Sequence, residues 1–112
     1  MSRAEELAQK QLDAYNNQDI ETFVAQYSPD IVVMDFPSNQ ITLSGREDFK
    51  KRYKALFESN PKQHAELTSR MVKGNIVIDH EYVTGRANGI NVEAIAMYET
   101  TDEYITKVWF VR

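Results

Sequence analysis

The sequence predicts an α+β domain in which three N-terminal helices pack on a strongly curved antiparallel sheet. Apolar residues recur at three- and four-residue spacings in the first half of the chain, the period of amphipathic helices. Four strand-like runs, 63–73, 75–86, 90–100 and 103–112, fill the second half, with separators short enough for hairpins. Helices early and a meander late is the segregated pattern of α+β proteins. The 112 residues form a single domain, 1–112, long enough to bury a core without cross-links.

Ala4, Leu7, Ala8, Leu12 and Tyr15 make the stripe of the first helix. Asn16-Asn17-Gln18 breaks it, and Asp19 can cap a second, short helix carrying Phe23, Val24 and Tyr27. Ser28-Pro29-Asp30 should end that helix, and Ile31 to Phe36 reads as a strand. Residues 37–40 are a turn, and Ile41-Thr42-Leu43 fits a short second strand. Ser44-Gly45-Arg46-Glu47 has the form of a capping box that opens a third helix. Phe49, Tyr53, Leu56 and Phe57 share one face of it, and Asn60-Pro61 stops it.

Composition removes several classes of function. There is no cysteine, hence no disulfide, thiolate metal site or thiol nucleophile. The 13 basic and 17 acidic side chains give a net charge of −4 with no basic block, so nucleic-acid binding has no electrostatic footing. No apolar run approaches the roughly 18 residues of a membrane span. The start, MSRAEELAQKQ, lacks the apolar core of a signal peptide, so a soluble cytoplasmic protein is expected. Gly-rich phosphate loops, dinucleotide fingerprints and an assignable Ser–His–acid triad are missing, so no cofactor is expected. His64 and His80 lie on separate strands without a clustered third ligand, and no metal site is expected either.

Three places carry polar groups where apolar ones belong. In VVMDFP, Asp35 follows residues that favour a half-buried strand. It is either an Asx-type turn residue before Pro37 or a carboxylate facing a cavity. Gln11 sits on the apolar stripe of the first helix, as a core amide bonded to backbone or as a donor to a ligand. In VIDHEYV, alternation puts Asp79 and Glu81 on one face and His80 with Tyr82 on the other. One of those acids can pair with Arg70, Arg86 or Lys107 on neighbouring strands. On the next strand Val92, Ala94, Ala96 and Tyr98 oppose Glu93, Ile95, Met97 and Glu99. The last strand is likewise apolar on both faces. A sheet with two apolar faces in so small a chain points to a homodimer formed through the sheet.

The segments AYNNQDIETFVAQYSPDIVVMDFP, SGREDFKKRY, IVIDHEYVTG, VEAIAMYE and ITKVWFVR resemble the NTF2-like superfamily of cone-shaped proteins, within it the SnoaL-like and ketosteroid-isomerase-like groups. The likeness covers essentially the whole chain. Its members include isomerases, cyclases, dehydratases and pure binding modules. In the isomerase group a strand carboxylate shuttles a proton beside a ketone, and that position falls here on Asp35. The helix-three tyrosine bordering the pocket falls on Tyr53. The two oxyanion donors of that group fall on Gln11 and Met97, neither of which is the acid or phenol required. Each such donor is worth roughly 10²–10³ in rate, which argues against steroid isomerisation.

The resemblance implies one blind pocket lined by Leu12, Tyr15, Phe49, Tyr53, Met97 and Trp109. Asp35 would stand at its polar end as the catalytic base, with Tyr53 or Gln11 donating to a developing oxyanion and Glu81 as a further polar group. Matching the register to the family turns Glu81 inward, and a slip of one residue would turn His80 inward instead. Two functions follow. One is a cofactor-independent isomerase, lyase or cyclase acting on a small apolar carbonyl compound. The other is a binding module for a small apolar ligand, or a dimeric scaffold.

Overall fold

The computed structural model describes all 112 residues. Helix α1 (Arg3–Asn16) starts where the Ser2 hydroxyl accepts from the Glu5 backbone N–H, with Glu5 and Glu6 in the positively polarised first turn. Its far end is tied to the sheet by Asn16, whose amide exchanges two hydrogen bonds with the backbone of Ala65, at 2.8 and 3.0 Å. Helix α2 (Ile20–Ala25) is capped by Asp19, as its position predicts, through the Thr22 N–H. Helix α3 (Arg46–Ser59) buries Phe49 and Phe57.

The six strands are β1 (Tyr27–Asp35), β2 (Ile41–Ser44), β3 (His64–Lys73), β4 (Ile76–Thr84), β5 (Val92–Thr100) and β6 (Ile105–Val111). They form one sheet in the order β2-β1-β6-β5-β4-β3. The sheet is mixed, since β1 runs parallel to β6 while every other neighbour is antiparallel. All three helices lie on one face of it. There α1 crosses β3 to β6, and α3 covers β1 and β2. Leu7, Ala8, Phe23, Ile31, Val77 and Ala96 are among the residues of the core between the layers. No helix is long and apolar enough to cross a membrane.

Two local expectations are corrected. Strand β1 begins at Tyr27, so Ser28-Pro29-Asp30 lies inside the strand instead of ending a helix. The capping box does not form. Ser44 pairs with Val32 as the last residue of β2, and Gly45, at φ 87°, becomes the N-cap without a side-chain hydrogen bond. The chain turns into α3 through a left-handed glycine, and Ser44 makes no hydrogen bond to the helix end.

Candidate functional site

Between the helices and the sheet lies a cavity of about 570 Å³, the size range of small-molecule sites. Its helical wall is an aromatic cluster. Phe23 stacks on Phe49 at 5.6 Å, and Tyr53 lies 4.8 Å from Phe23 and 4.7 Å from Phe49. Tyr15 meets Phe57 edge-on at 5.3 Å. The sheet supplies Val33, Val83, Ala94, Tyr98 and Phe110.

The polar groups sort by how well they are partnered. Gln11 is fully engaged. Its amide nitrogen donates to the Ala8 carbonyl at 3.0 Å and to the Tyr98 hydroxyl at 3.1 Å, and its oxygen accepts from the Tyr27 hydroxyl at 2.8 Å. Tyr15 donates to Gln63 Oε1 at 2.9 Å. Asp79, 0% exposed, is held bidentately by Arg70 at 2.7 and 2.9 Å, and Arg70 also donates to Gln9 on α1 at 2.8 Å. Arg70 is thus the partner of one β4 acid. Lys107 stays on Glu99, 3.7 Å away, and Arg86 makes no ion pair.

Glu81 differs from all of these. Two residues from Asp79 on the same face of β4, it lines the cavity at 9% exposure. No side chain or backbone group of the protein hydrogen-bonds its carboxyl, and no cation lies within ion-pair distance. Burial, and secondarily the nearby Asp79 charge, raise its pKa to about 7 against the opposing pull of Arg70. Burial also raises the phenols of Tyr15, Tyr27, Tyr53 and Tyr98, so all four stay protonated at neutral pH. Two of them keep a proton free for a ligand. Tyr53 makes no hydrogen bond to the protein, and Tyr98 accepts from Gln11 without donating.

Of the residues the sequence singles out, Gln11, Leu12, Tyr15, Tyr53 and Glu81 line this cavity. Asp35, Phe49, Met97 and Trp109 do not. Asp35 is neither an Asx turn nor a cavity charge. Its side chain is 43% exposed at the rim and accepts from Arg112 Nη1 at 3.2 Å. Phe49 is buried core behind Phe23 and Tyr53. Met97 pairs with Trp109 across β5 and β6 on the helix-free face, where the indole N–H donates to Asn39 at 3.1 Å. Strand parity requires this. Ala96, Tyr98, Val108 and Phe110 point to the helices, so the residues between them point away.

Sequence reasoning missed Arg86 and Tyr98 as cavity residues. Tyr98 was findable by its parity with Ala96. Arg86 lies past the end of β4, where alternation no longer applies. It is positioned by the close approach of Gly85 to the 60–63 loop, since a Cβ on Gly85 would collide with the Lys62 carbonyl oxygen.

A SnoaL-like domain model matches residues 8–108, and the chain belongs to that family. It is similar over 100% of its length to 99% of an uncharacterised cystatin-fold protein from Novosphingobium aromaticivorans, at 26% identity and TM-score 0.88. A candidate SnoaL-like polyketide cyclase from Shewanella putrefaciens shares 15% identity and TM-score 0.79, covering 99% of this chain and 80% of that one. A candidate ketosteroid isomerase from Kribbella flavida shares 17% identity and TM-score 0.79, with 96% and 76% covered. These last two likenesses concern the fold. No curated protein matches the chain in sequence.

Proposed function

We propose that the chain is a cofactor-independent proton-transfer enzyme of the isomerase, lyase or cyclase type, acting on a small apolar carbonyl compound. One observation carries the proposal. The sole acid lining an apolar cavity, Glu81, is unpaired, and its pKa of about 7 matches that of a working general base. The Glu81 carboxylate takes a proton from a carbon next to the substrate carbonyl. The electron pair moves onto the carbonyl oxygen, which receives a hydrogen bond from the Tyr53 or Tyr98 phenol. The protonated carboxyl then returns its proton to a second carbon, or a leaving group departs, giving isomerisation or elimination. The base is therefore assigned to β4 and not to Asp35.

The test is hydrogen–deuterium exchange at the carbon beside the carbonyl of 2-tetralone, followed by NMR. Wild type should accelerate exchange over buffer, Glu81→Gln should lose at least about 100-fold of that acceleration, and Asp35→Asn should keep it. Exchange that survives in Glu81→Gln refutes the assignment. Binding of the ketone without exchange in wild type makes the protein a binding module.

The helix-free face supports a second proposal, that the chain forms a homodimer through its sheet. Register places Ile41, Met34, Trp109, Met97, Ile78 and Met71 in one row across all six strands. An apolar row of that length, with Ile41 60% and Met71 63% exposed, is what an isologous sheet-to-sheet interface covers.

A further inference from the structure

We propose that the cavity takes an anionic ligand, a monocarboxylate with an apolar body, whose carboxylate is received by Arg86. This deepens the reading of the cavity as a proton-transfer site and rests on it for the statement that the ligand is a substrate.

Two observations in the cavity converge on the anion, and another lies just behind its wall. The first is Arg86 itself, which lines the cavity with its Nε buried and without a hydrogen-bond partner. No carboxylate of the protein lies within ion-pair distance of it, Glu81 included. The Arg86 side chain is partly exposed, but its Nε–H is shut off from water, and a buried charged donor without an acceptor is unfavourable unless something else supplies one. Its planar fork fits a carboxylate through two parallel hydrogen bonds. The Tyr15 hydroxyl beside it is no substitute, because a neutral phenol brings no charge.

The second observation is Gln63, 3% exposed, whose Nε2 is also buried without a partner while its oxygen accepts from Tyr15. Gln63 belongs to the loop against which Gly85 packs, and Arg86 follows Gly85 directly. Two unmet donors therefore sit on adjoining segments, Arg86 in the cavity wall and Gln63 outside its lining, linked to it through Tyr15. Donors without acceptors call for an oxygen-rich group and not for an amine.

The third is the distribution of charge. The chain carries a net −4, yet three arginines, Arg52, Arg86 and Arg112, line the cavity against the one carboxyl of Glu81. Arg112 is offset by Asp35 at the rim and Arg52 is exposed to solvent with a donor on the Thr42 carbonyl, which leaves Arg86 as the uncompensated cation with a buried donor. Low-dielectric walls focus such a charge, so anions are favoured in the cavity although the whole molecule repels them. The remaining lining is mostly apolar and excludes a ligand that is charged throughout.

The experiment is calorimetric titration of the full chain with 2-naphthoate and with 2-naphthamide, which share shape and differ in charge. Wild type should bind the carboxylate about tenfold or more tightly than the amide, the usual scale of a hydrogen bond to a charged group. Arg86→Gln should level the two ligands, and Arg86→Lys, which keeps the charge and loses the fork, should retain an intermediate preference. Far-UV circular dichroism establishes that each variant is folded. Equal affinities in wild type overturn the proposal, as does failure of both to bind at millimolar concentration, or a preference that survives Arg86→Gln. Glu81→Gln should keep the preference, because it removes the acid and leaves the cation. Ketone exchange that persists in Glu81→Gln would thus sink the proton-transfer reading while the carboxylate preference stands.

Discussion

Replacing Glu81 by Gln should change how stability depends on pH more than it changes stability itself. Folding moves the Glu81 pKa from an ordinary 4.5 to about 7. The folded chain holds this proton more tightly than the unfolded chain, so between those values the native state carries more bound protons. Stability contributed by Glu81 is therefore full below pH 4.5, falls as pH rises to about 7, and is flat above that. Each pH unit of the window is worth about 1.4 kcal/mol, so the loss is about 3 kcal/mol across it. For a chain of this size that is about 12 °C in melting temperature.

The assay is thermal unfolding of wild type and Glu81→Gln from pH 4 to pH 8.5, read as a difference. A glutamine at this buried position brings its own unmet donors, so the offset between the curves is not diagnostic. Their relative slope is. The charges facing Glu81 are Asp79 on its own strand and Arg70 on β3, joined in one ion pair. The surrounding phenols Tyr15, Tyr27, Tyr53 and Tyr98 stay neutral throughout this range. Other titrations cancel in the difference. Wild type should lose about 3 kcal/mol relative to the variant between pH 4.5 and pH 7.5. Parallel curves would mean that Glu81 titrates as a solvated acid, and the general-base argument would fall with it.

Arg70→Met should destabilise the fold by about 3–5 kcal/mol in urea unfolding, because it strands the charge of Asp79 at 0% exposure; an unchanged midpoint refutes the role of that ion pair. Gln11→Leu removes the partner of two buried phenols, Tyr27 and Tyr98, and should lower stability by about 2–4 kcal/mol. A cost below about 0.5 kcal/mol in calorimetry would show that the phenols repair themselves with water. Trp109→Lys, in the middle of the apolar row of the open face, should convert a dimer to a monomer in sedimentation velocity. A wild type that is already monomeric at tens of micromolar removes the sheet-to-sheet interface.

The element order was readable from local signals. Asp19 and Ser2 cap their helices, Asn60 ends α3, and short turns separate the last strands. The parallel pairing of β1 with β6 was not, because it joins segments more than seventy residues apart and has no turn signature. The site follows strand parity where the family resemblance implies otherwise. The resemblance puts Met97 and Trp109 in the pocket, whereas α1 crosses β5 and β6 closely enough to demand Ala96 on that face. Bulky neighbours then point outward. The same rule turns Glu81 toward the helices, since Val77, Asp79, Glu81 and Val83 alternate on one buried face of β4. That pattern repeats the anomaly of VVMDFP in mid-strand, where water is further away. Asp35 lies at the end of β1, and its rim position depends on Arg112, 77 residues away, which no local pattern links to it.

Losing the acid and phenol expected at Met97 and Gln11 does not strip the cavity of donors. Gln11 spends its amide on Tyr98 and Tyr27, and in doing so fixes the Tyr98 hydroxyl as an acceptor on one side, leaving its proton free for the other. Tyr53 contributes a second unengaged phenol from α3. Burial holds both neutral, which is the state that can donate to an oxyanion. The acid has moved in the same sense, from a solvated rim position on β1 to a desolvated one on β4, where neighbouring Asp79 keeps its proton affinity high. Arg70, bound bidentately to Asp79, pulls that proton affinity down, so the structural ion pair and the candidate base are coupled through two residues of one strand. Weakening Arg70 therefore acts on Glu81 as well as on the fold. Arg70→Lys, which keeps a cation but loses the two-pronged contact, should shift the pH midpoint of ketone exchange upward, because less of the opposing positive charge reaches Glu81. A midpoint that stays in place while the variant remains folded would separate the two and confine Arg70 to stability.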